Sequence, residues 1–322
     1  MRRVVLCVTT LLTALLAAPL LAQSDFPTAP VRMIVPFAAG GPTDVVTRIL
    51  CELLSRRWGG KPIVVEDRPG AGTIVATEEI AKGKPDGTTM GMATNSLLTN
   101  PAIEHSLPYD TQKDFVGVSM VATQPVALVA NKDFPASTLA ELIDYARKSP
   151  QPLNYTSPGP RGVGDLAGKL LGQRAGITMQ HINYNGSAPA LQDVIAGRVP
   201  IMFDIWHSAK RYVDSGDLKL IAGASDKRLP GAPQVPTIAE SYPSLSVIAF
   251  QAVIGPSGIP PAVLDKLSAD VRAVVTSQEF TDRTASLGID TWGNSPKELQ
   301  AWFNQEIARW QNLVRTANLK FE

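Results

Sequence analysis

The sequence predicts an α/β protein built as two lobes. Three observations carry this expectation. Strand-like and helix-like segments alternate between residues 31 and 222, glycine-rich turns separate several of them, and 322 residues are too many for one ordinary core. Alternation on this scale predicts parallel sheets covered by helices with right-handed crossovers. One sheet could hold every strand, but two lobes of about 150 residues suit usual domain sizes better.

VRMIVPF (31–37) has the apolar, β-branched composition of a strand. Residues 43–57 place Val45, Val46, Ile49, Leu50, Leu53 and Leu54 on one helical stripe. PIVVE (62–66) is a strand with RPGAG (68–72) as its turn, 73–82 a short helix, and TTMGMA (88–93) a third strand. Strands at 125–130, 153–156, 180–183, 199–204 and 218–222 then alternate with helices at 138–148, 163–174, 187–196 and 206–214. Residues 224–246 are loop-rich, punctuated by Pro230, Pro233, Pro236 and Pro243. SVIAFQAVI (246–254) has no polar alternation, so it is expected to be a strand buried on both faces. Helices follow at 261–276, 278–287 and 296–317, the last with Leu299, Trp302, Phe303, Ile307, Trp310 and Val314 on its apolar side.

Residues 1–22, MRRVVLCVTTLLTALLAAPLLA, have the form of a cleavable export signal: two arginines, an apolar run, and Ala22 before the expected cut. Leu20 is larger than usual for its place before the cut. An uncleaved anchor is the competing reading, since residues 4–22 nearly suffice to span a bilayer. Cys7 lies too early to accept a lipid. The remainder has no second long apolar run and is expected to be soluble and outside the cytoplasm, where Cys51 alone allows no internal disulfide. Without Arg2 and Arg3 the 30 basic residues become 28 against 29 acidic ones. That balance argues against nucleic acid or an anionic membrane as a partner.

Four turns carry the candidate site. FAAGGPTD (37–44) brings Phe37, Gly40, Gly41, Thr43 and Asp44 to the start of a helix, and ATNSLL (93–98) brings Thr94, Asn95 and Ser96. TSPGPRGVGD (156–165) brings Ser157, Gly159 and Arg161, and NYNGSAPAL (183–191) brings Tyr184, Gly186 and Ser187. Each combines unbonded amide N–H groups, hydroxyls and a helix N-terminus, which together attract carboxylates and phosphates. Such turns need Gly and Ser for conformational reasons too, so the set of four matters more than any single one. In open α/β sheets the ligand crevice lies at the carboxyl ends of the strands, where these turns fall.

Catalytic motifs are weak by comparison. RPGAGTIVA has Val75 where a dinucleotide fingerprint needs its third glycine, and GPRGVG (159–164) lacks the lysine of a phosphate loop. No GxSxG elbow or HExxH occurs, and His105, His181 and His207 are scattered. Cys51 lies on a Leu- and Ile-rich helix side and reads as packing. No cofactor, no metal and no paired nucleophile and base are expected.

Taken together, VRMIVPFAAGGPTDVVTRIL, VVEDRPGAG, KPDGTTMGMAT, LPYDTQKDF, LNYTSPG, YNGSAPALQDVIAGRVPIMFD and APQVPTIAE resemble the Bug/TctC-type periplasmic solute-binding proteins of tripartite tricarboxylate transporters, along residues 26–322. The resemblance implies a type II periplasmic-binding-protein fold with a ligand cleft between two α/β lobes. One lobe would combine 24–124 with 223–322, and the other would be 125–222. It implies no enzyme activity and a small carboxylate, mono- or dicarboxylate, bound partly through ordered water and main-chain amides. First-lobe contacts would be Phe37, Gly41, Thr43, Asp44, Thr94 and Ser96; second-lobe contacts would be Ser157, Gly159, Tyr184 and Asp204. Asp44 and Asp204 keep a second reading as helix caps. Membrane permease subunits of such a transporter would be the partner of a monomer. Presentation of the ligand to a sensor kinase is the alternative, with a periplasmic hydrolase or isomerase more remote. The chain departs from the family at SPGPRGVGDLAG (157–168), where Arg161 either clamps a second ligand carboxylate or pairs with Asp165, the latter being preferred. It departs again at Ile205, where the family tends to have Asn, and this tilts the expected ligand toward an apolar or aromatic acid.

Overall fold

The structure is a computed structural model that describes residues 26–316, apart from positions 105, 185 and 244. The export signal and His105 therefore lie outside the described residues. The chain opens with β1 (Val31–Val35), α1 (Pro42–Arg57), β2 (Ile63–Asp67), α2 (Ile74–Ala81), β3 (Thr89–Ala93) and α3 (Asn95–Ile103). A long strand β4 (Phe115–Asn131) leads to α4 (Leu139–Lys148), β5 (Leu153–Thr156), α5 (Val163–Ala175), β6 (Met179–Ile182), α6 (Ser187–Ile195), β7 (Ile201–Ile205), α7 (Trp206–Asp214) and β8 (Leu218–Gly223). The chain closes with α8 (Ile238–Ser241), β9 (Ile248–Pro256), α9 (Pro261–Val275), α10 (Gln278–Thr284), β10 (Asp290–Thr291) and α11 (Pro296–Thr316).

The strands form one curled sheet in the order β2-β1-β3-β9-β4-β7-β5-β6, with β8 and β10 also paired to β4. The partners of β4 change along its length. Phe115 to Pro125 pair with β9, whereas Val126 to Asn131 pair with β7 and β8. Pro125 stands at the change, where the strand carries no N–H to donate. A first half (β1, β2, β3, β9, β10 and the start of β4) is thus joined to a second half (β5 to β8 and the end of β4). β1 is parallel to β2 and β3, and β5 is parallel to β6 and β7. The expected parallel pairing holds within each of these two groups of strands, but the strands that link the halves add antiparallel pairs. β9 runs antiparallel to β3 and β4, and β4 antiparallel to β7 and β8, because the chain crosses between halves and returns.

This topology aims the turns. β4 runs parallel to β3 in the first half, since both oppose β9, and antiparallel to β7 in the second. The carboxyl ends of β1 and β3 therefore point toward the second half, and those of β5, β6 and β7 point toward the first.

Burial follows the period-2 rule of strands. Val126, Leu128 and Ala130 of β4 enter an apolar cluster that spans both halves on one sheet face, with Tyr155, Leu166, Phe250 and Trp310. Ala127 and Val129 face the other way, into a cluster with α6 and α7. A third cluster lies under α1 and α9 in the first half. Five of the six stripe residues of α1 are fully buried, and Val45 is half-buried. Burial pushes the Cys51 thiol up to about 12, so it packs and stays unreactive.

Three parts of the fold escaped the pattern, the two-residue strand β10 among them. Residues 115–124 continue β4 although Gly117, Ser119, Thr123 and Gln124 interrupt its apolar run. The polar members are nevertheless buried, and Ser119 accepts a hydrogen bond from Asn294 N at 3.2 Å. Helix α8 is a single turn at whose start Thr237 N donates to Glu240 Oε1 at 3.0 Å, too short for periodicity to reveal.

Candidate functional site

The first turn joins β1 to α1. Gly40 has φ +81°, a conformation that favours glycine. Its N–H donates to Asp44 Oδ2 at 2.7 Å, and Arg48 Nε meets Asp44 Oδ1 at 2.7 Å. Burial pulls the Asp44 carboxyl upward, but the Arg48 and Gly40 hydrogen bonds outweigh it and leave the group below its usual range. Asp44 therefore shapes the turn with both oxygens engaged. The helical bonds begin at Val45 N to Gly41 O (3.0 Å), so the amides of Thr43 and Asp44 precede the ladder. Phe37 leaves its ring 40% exposed beside them, which marks the turn as open to solvent.

The second turn places Thr94 at the N-cap of α3, with Thr94 and Ser96 half-buried. Asn95 has a different task. Its Nδ2 donates to Ile248 O at 2.8 Å and its Oδ1 accepts from Phe250 N at 3.2 Å, which ties the turn to β9. The carboxamide is consumed by the framework.

In the second half, three elements meet. Ser157 is fully buried; its Oγ donates to Gly159 O at 2.8 Å and lies 2.9 Å from His181 Nε2. His181 Nδ1 is 2.8 Å from Asn183 Oδ1 and 3.9 Å from Asp165 Oδ1. Burial lowers the His181 pKa despite the nearby Asp165 carboxylate. The sequence reading missed this Ser157–His181–Asn183 chain because its members come from different segments. The alternation of side chains along β5 and β6, with Tyr155 opposite His181, was the available signal. Ser157 is sealed from solvent, so the chain orders the turn. Gly186 N donates to Pro158 O at 2.6 Å, joining the third and fourth turns.

Tyr184 directs its hydroxyl to Asp193 on α6, so its main chain rather than its phenol lies beside Gly159. Ser187 Oγ donates to Asp204 Oδ1 at 2.9 Å, and Ile205 N donates to the same oxygen at 2.8 Å. Asp204 Oδ2 is buried with no partner among the described residues, and burial lifts the carboxyl to about 7 despite those two donors.

Arg161 requires a correction. Its guanidinium pairs with Glu104, at the end of α3, while its main-chain N–H donates to Asp165 Oδ2 at 2.7 Å. The expected i,i+4 pairing assumed a helix, but Arg161 lies before α5 with φ +62°, and that backbone turns its side chain away from Asp165.

The structure thus brings Ser157, Gly159, Tyr184, Gly186, Ser187 and Asp204 together. It sets Phe37, Gly40, Gly41, Thr43, Thr94 and Ser96 on strand ends that face them. Two surface hollows of about 290 and 480 Å³ lie elsewhere on the first half, beside α11, and no predicted site residue lines them. Among the described residues no group of three or more His, Cys, Asp or Glu is placed to hold a metal ion.

Comparison with known proteins fits this geometry. The family model described as tripartite tricarboxylate transporter family receptor, TctC, matches residues 46–319. Protein BugT of Bordetella pertussis is 31% identical over 313 residues, covering 96% of this chain and 95% of BugT. The solved structure of Rpa4515 from R. palustris with adipate has a TM-score of 0.82 at 31% identity, covering 92% of this chain and 99% of that one. That of MatC from Rhodopseudomonas palustris with bound malate has a TM-score of 0.79 at 30% identity, covering 90% and 100%. The curled α/β sheet, its opposed turns and these matches lead to one conclusion: the chain belongs to the Bug/TctC family of periplasmic solute-binding proteins.

Proposed function

We propose that the protein captures a small carboxylate between its two halves and delivers it to membrane permease subunits of a tripartite tricarboxylate transporter. It would act in the periplasm, after export directed by residues 1–22. The observation that carries the reading is the opposition of strand ends across the β4 junction. Helix-start amides at Thr43 and Asp44 on one side face the turns at Ser157, Gly159 and Gly186 on the other. Amide hydrogens and hydroxyls replace water around an anion. Nearby side-chain cations already have acidic partners: Arg48 has Asp44, Lys169 has Asp165, and Arg161 has Glu104. Selection would then rest on shape and amide direction more than on charge pairing.

The lobes are proposed to divide at β4 and again near Gly223, and ligand would favour the form in which both sets of turns touch it. The bound adipate and malate of the two relatives make dicarboxylates the first probes. A thermal-shift screen of adipate, malate, acetate and benzoate tests the reading, since binding to the folded form raises Tm. At least one acid is expected to raise Tm by several degrees. A series in which no carboxylate acts, while a neutral sugar does, would reject it.

A further inference from the structure

Glu104 and Arg161 reach across the junction. Glu104 follows α3, which packs on α11 and β9 in the first half. Arg161 belongs to the loop before α5 in the second half, two residues beyond Gly159. Every other ion pair between described residues stays within one half or its adjoining loops. The direction of Arg161 is set by its own half. Its backbone is left-handed at φ +62°, a costly conformation for a residue with a Cβ, and the buried Asp165 carboxylate holds it there through the 2.7 Å bond from Arg161 N. The backbone of Arg161 is thus fixed by its own half, and its guanidinium meets Glu104 of the other. The two side chains are 31% and 21% exposed, so solvent screens the pair only in part.

We propose that Glu104 and Arg161 form a latch that exists only while the halves are together. Glu104 is then a positioning residue: through Arg161 it holds the Ser157–Gly162 turn toward the ligand. The inference rests on the reading that ligand binds between the halves, although the Glu104–Arg161 contact itself involves protein atoms alone. It also gives a reason for the departure of this chain from the family pattern at residue 161.

The test is single-molecule energy transfer in the ligand-free protein, with dyes on Lys84→Cys in the first half and Gln173→Cys in the second, both exposed positions. Cys51 is buried and does not compete for the dye, and Cys7→Ser removes the other native thiol. Glu104→Gln and Arg161→Ala are each expected to lower the closed-to-open ratio about two- to fivefold, the range of a partly screened pair. The charge swap Glu104→Arg with Arg161→Glu is expected to restore it, which a purely structural role would not do. Raising salt from about 50 to about 500 mM should act like Glu104→Gln on the unsubstituted protein and leave that variant unmoved. An unchanged ratio across variants and salt overturns the latch. Should a variant fail to fold, as read by circular dichroism, the salt titration of the unsubstituted protein decides. A carboxylate screen without a hit would reject the binding reading and leave this distance measurement standing.

Discussion

Asp204 is a buried carboxylate only half satisfied: one oxygen takes two hydrogen bonds and the other has none among the described residues. Its pKa rises from 3.8 to about 7, so the folded chain keeps a proton that the unfolded chain releases. The stability it contributes is complete below pH 3.8 and is lost as pH rises through about 7. That gap corresponds to about 4 kcal/mol at most. Asp204→Asn keeps an acceptor for Ser187 and Ile205 and cannot ionise, so Tm of the variant should fall less between pH 5 and pH 8. An equal fall in both proteins would place the pH dependence elsewhere. Gly41 tests the first turn. An added Cβ would meet only Ala38 O, at 3.5 Å, so Gly41→Val should fold normally. It is expected to weaken binding of whichever acid the thermal screen identifies by tenfold or more, measured by calorimetry. Unchanged affinity would move the ligand away from this turn.

At the scale of elements, α5 shows how sequence sets position. A Cβ on Gly168 would lie 2.1 Å from the Tyr155 ring, and one on Gly164 would lie 2.6 Å from Phe203 O. The helix can therefore press against β5 and β7, and its first turn is carried to the strand ends. Gly168→Ala should destabilise by about 1–3 kcal/mol through overpacking, read from denaturant unfolding. A neutral result would show that Tyr155 moves freely, against its bond to Asp165. Most elements were legible because apolar spacing is a local property: α1, α11 and the short parallel strands follow from it. The first part of β4 was not, because its buried Ser119, Thr123 and Gln124 look exposed until distant partners satisfy them. The same limit applies to the site. The glycine turns could be read directly, whereas Asn95 binding to β9 and Arg161 to Glu104 depend on segments far away in the chain.

For the whole molecule, one apolar cluster crosses the junction on one sheet face, while the other face carries two separate clusters. The shared cluster should make equilibrium unfolding a single transition. Trp206 reports from the second half and Trp310 from the first, so tryptophan fluorescence and circular dichroism should give coincident midpoints. Two resolved steps would mean that the halves melt independently.

Pro125 has a mechanical consequence. A strand that serves two sets of neighbours would ordinarily resist torsion at the seam, since each rung of its ladder must stretch or break. At this residue the ring nitrogen offers nothing to break. On the proposed division of the lobes at β4, a rotation centred there would have no donated backbone bond to break, and the seam would serve as a pivot inside an otherwise stiff beam.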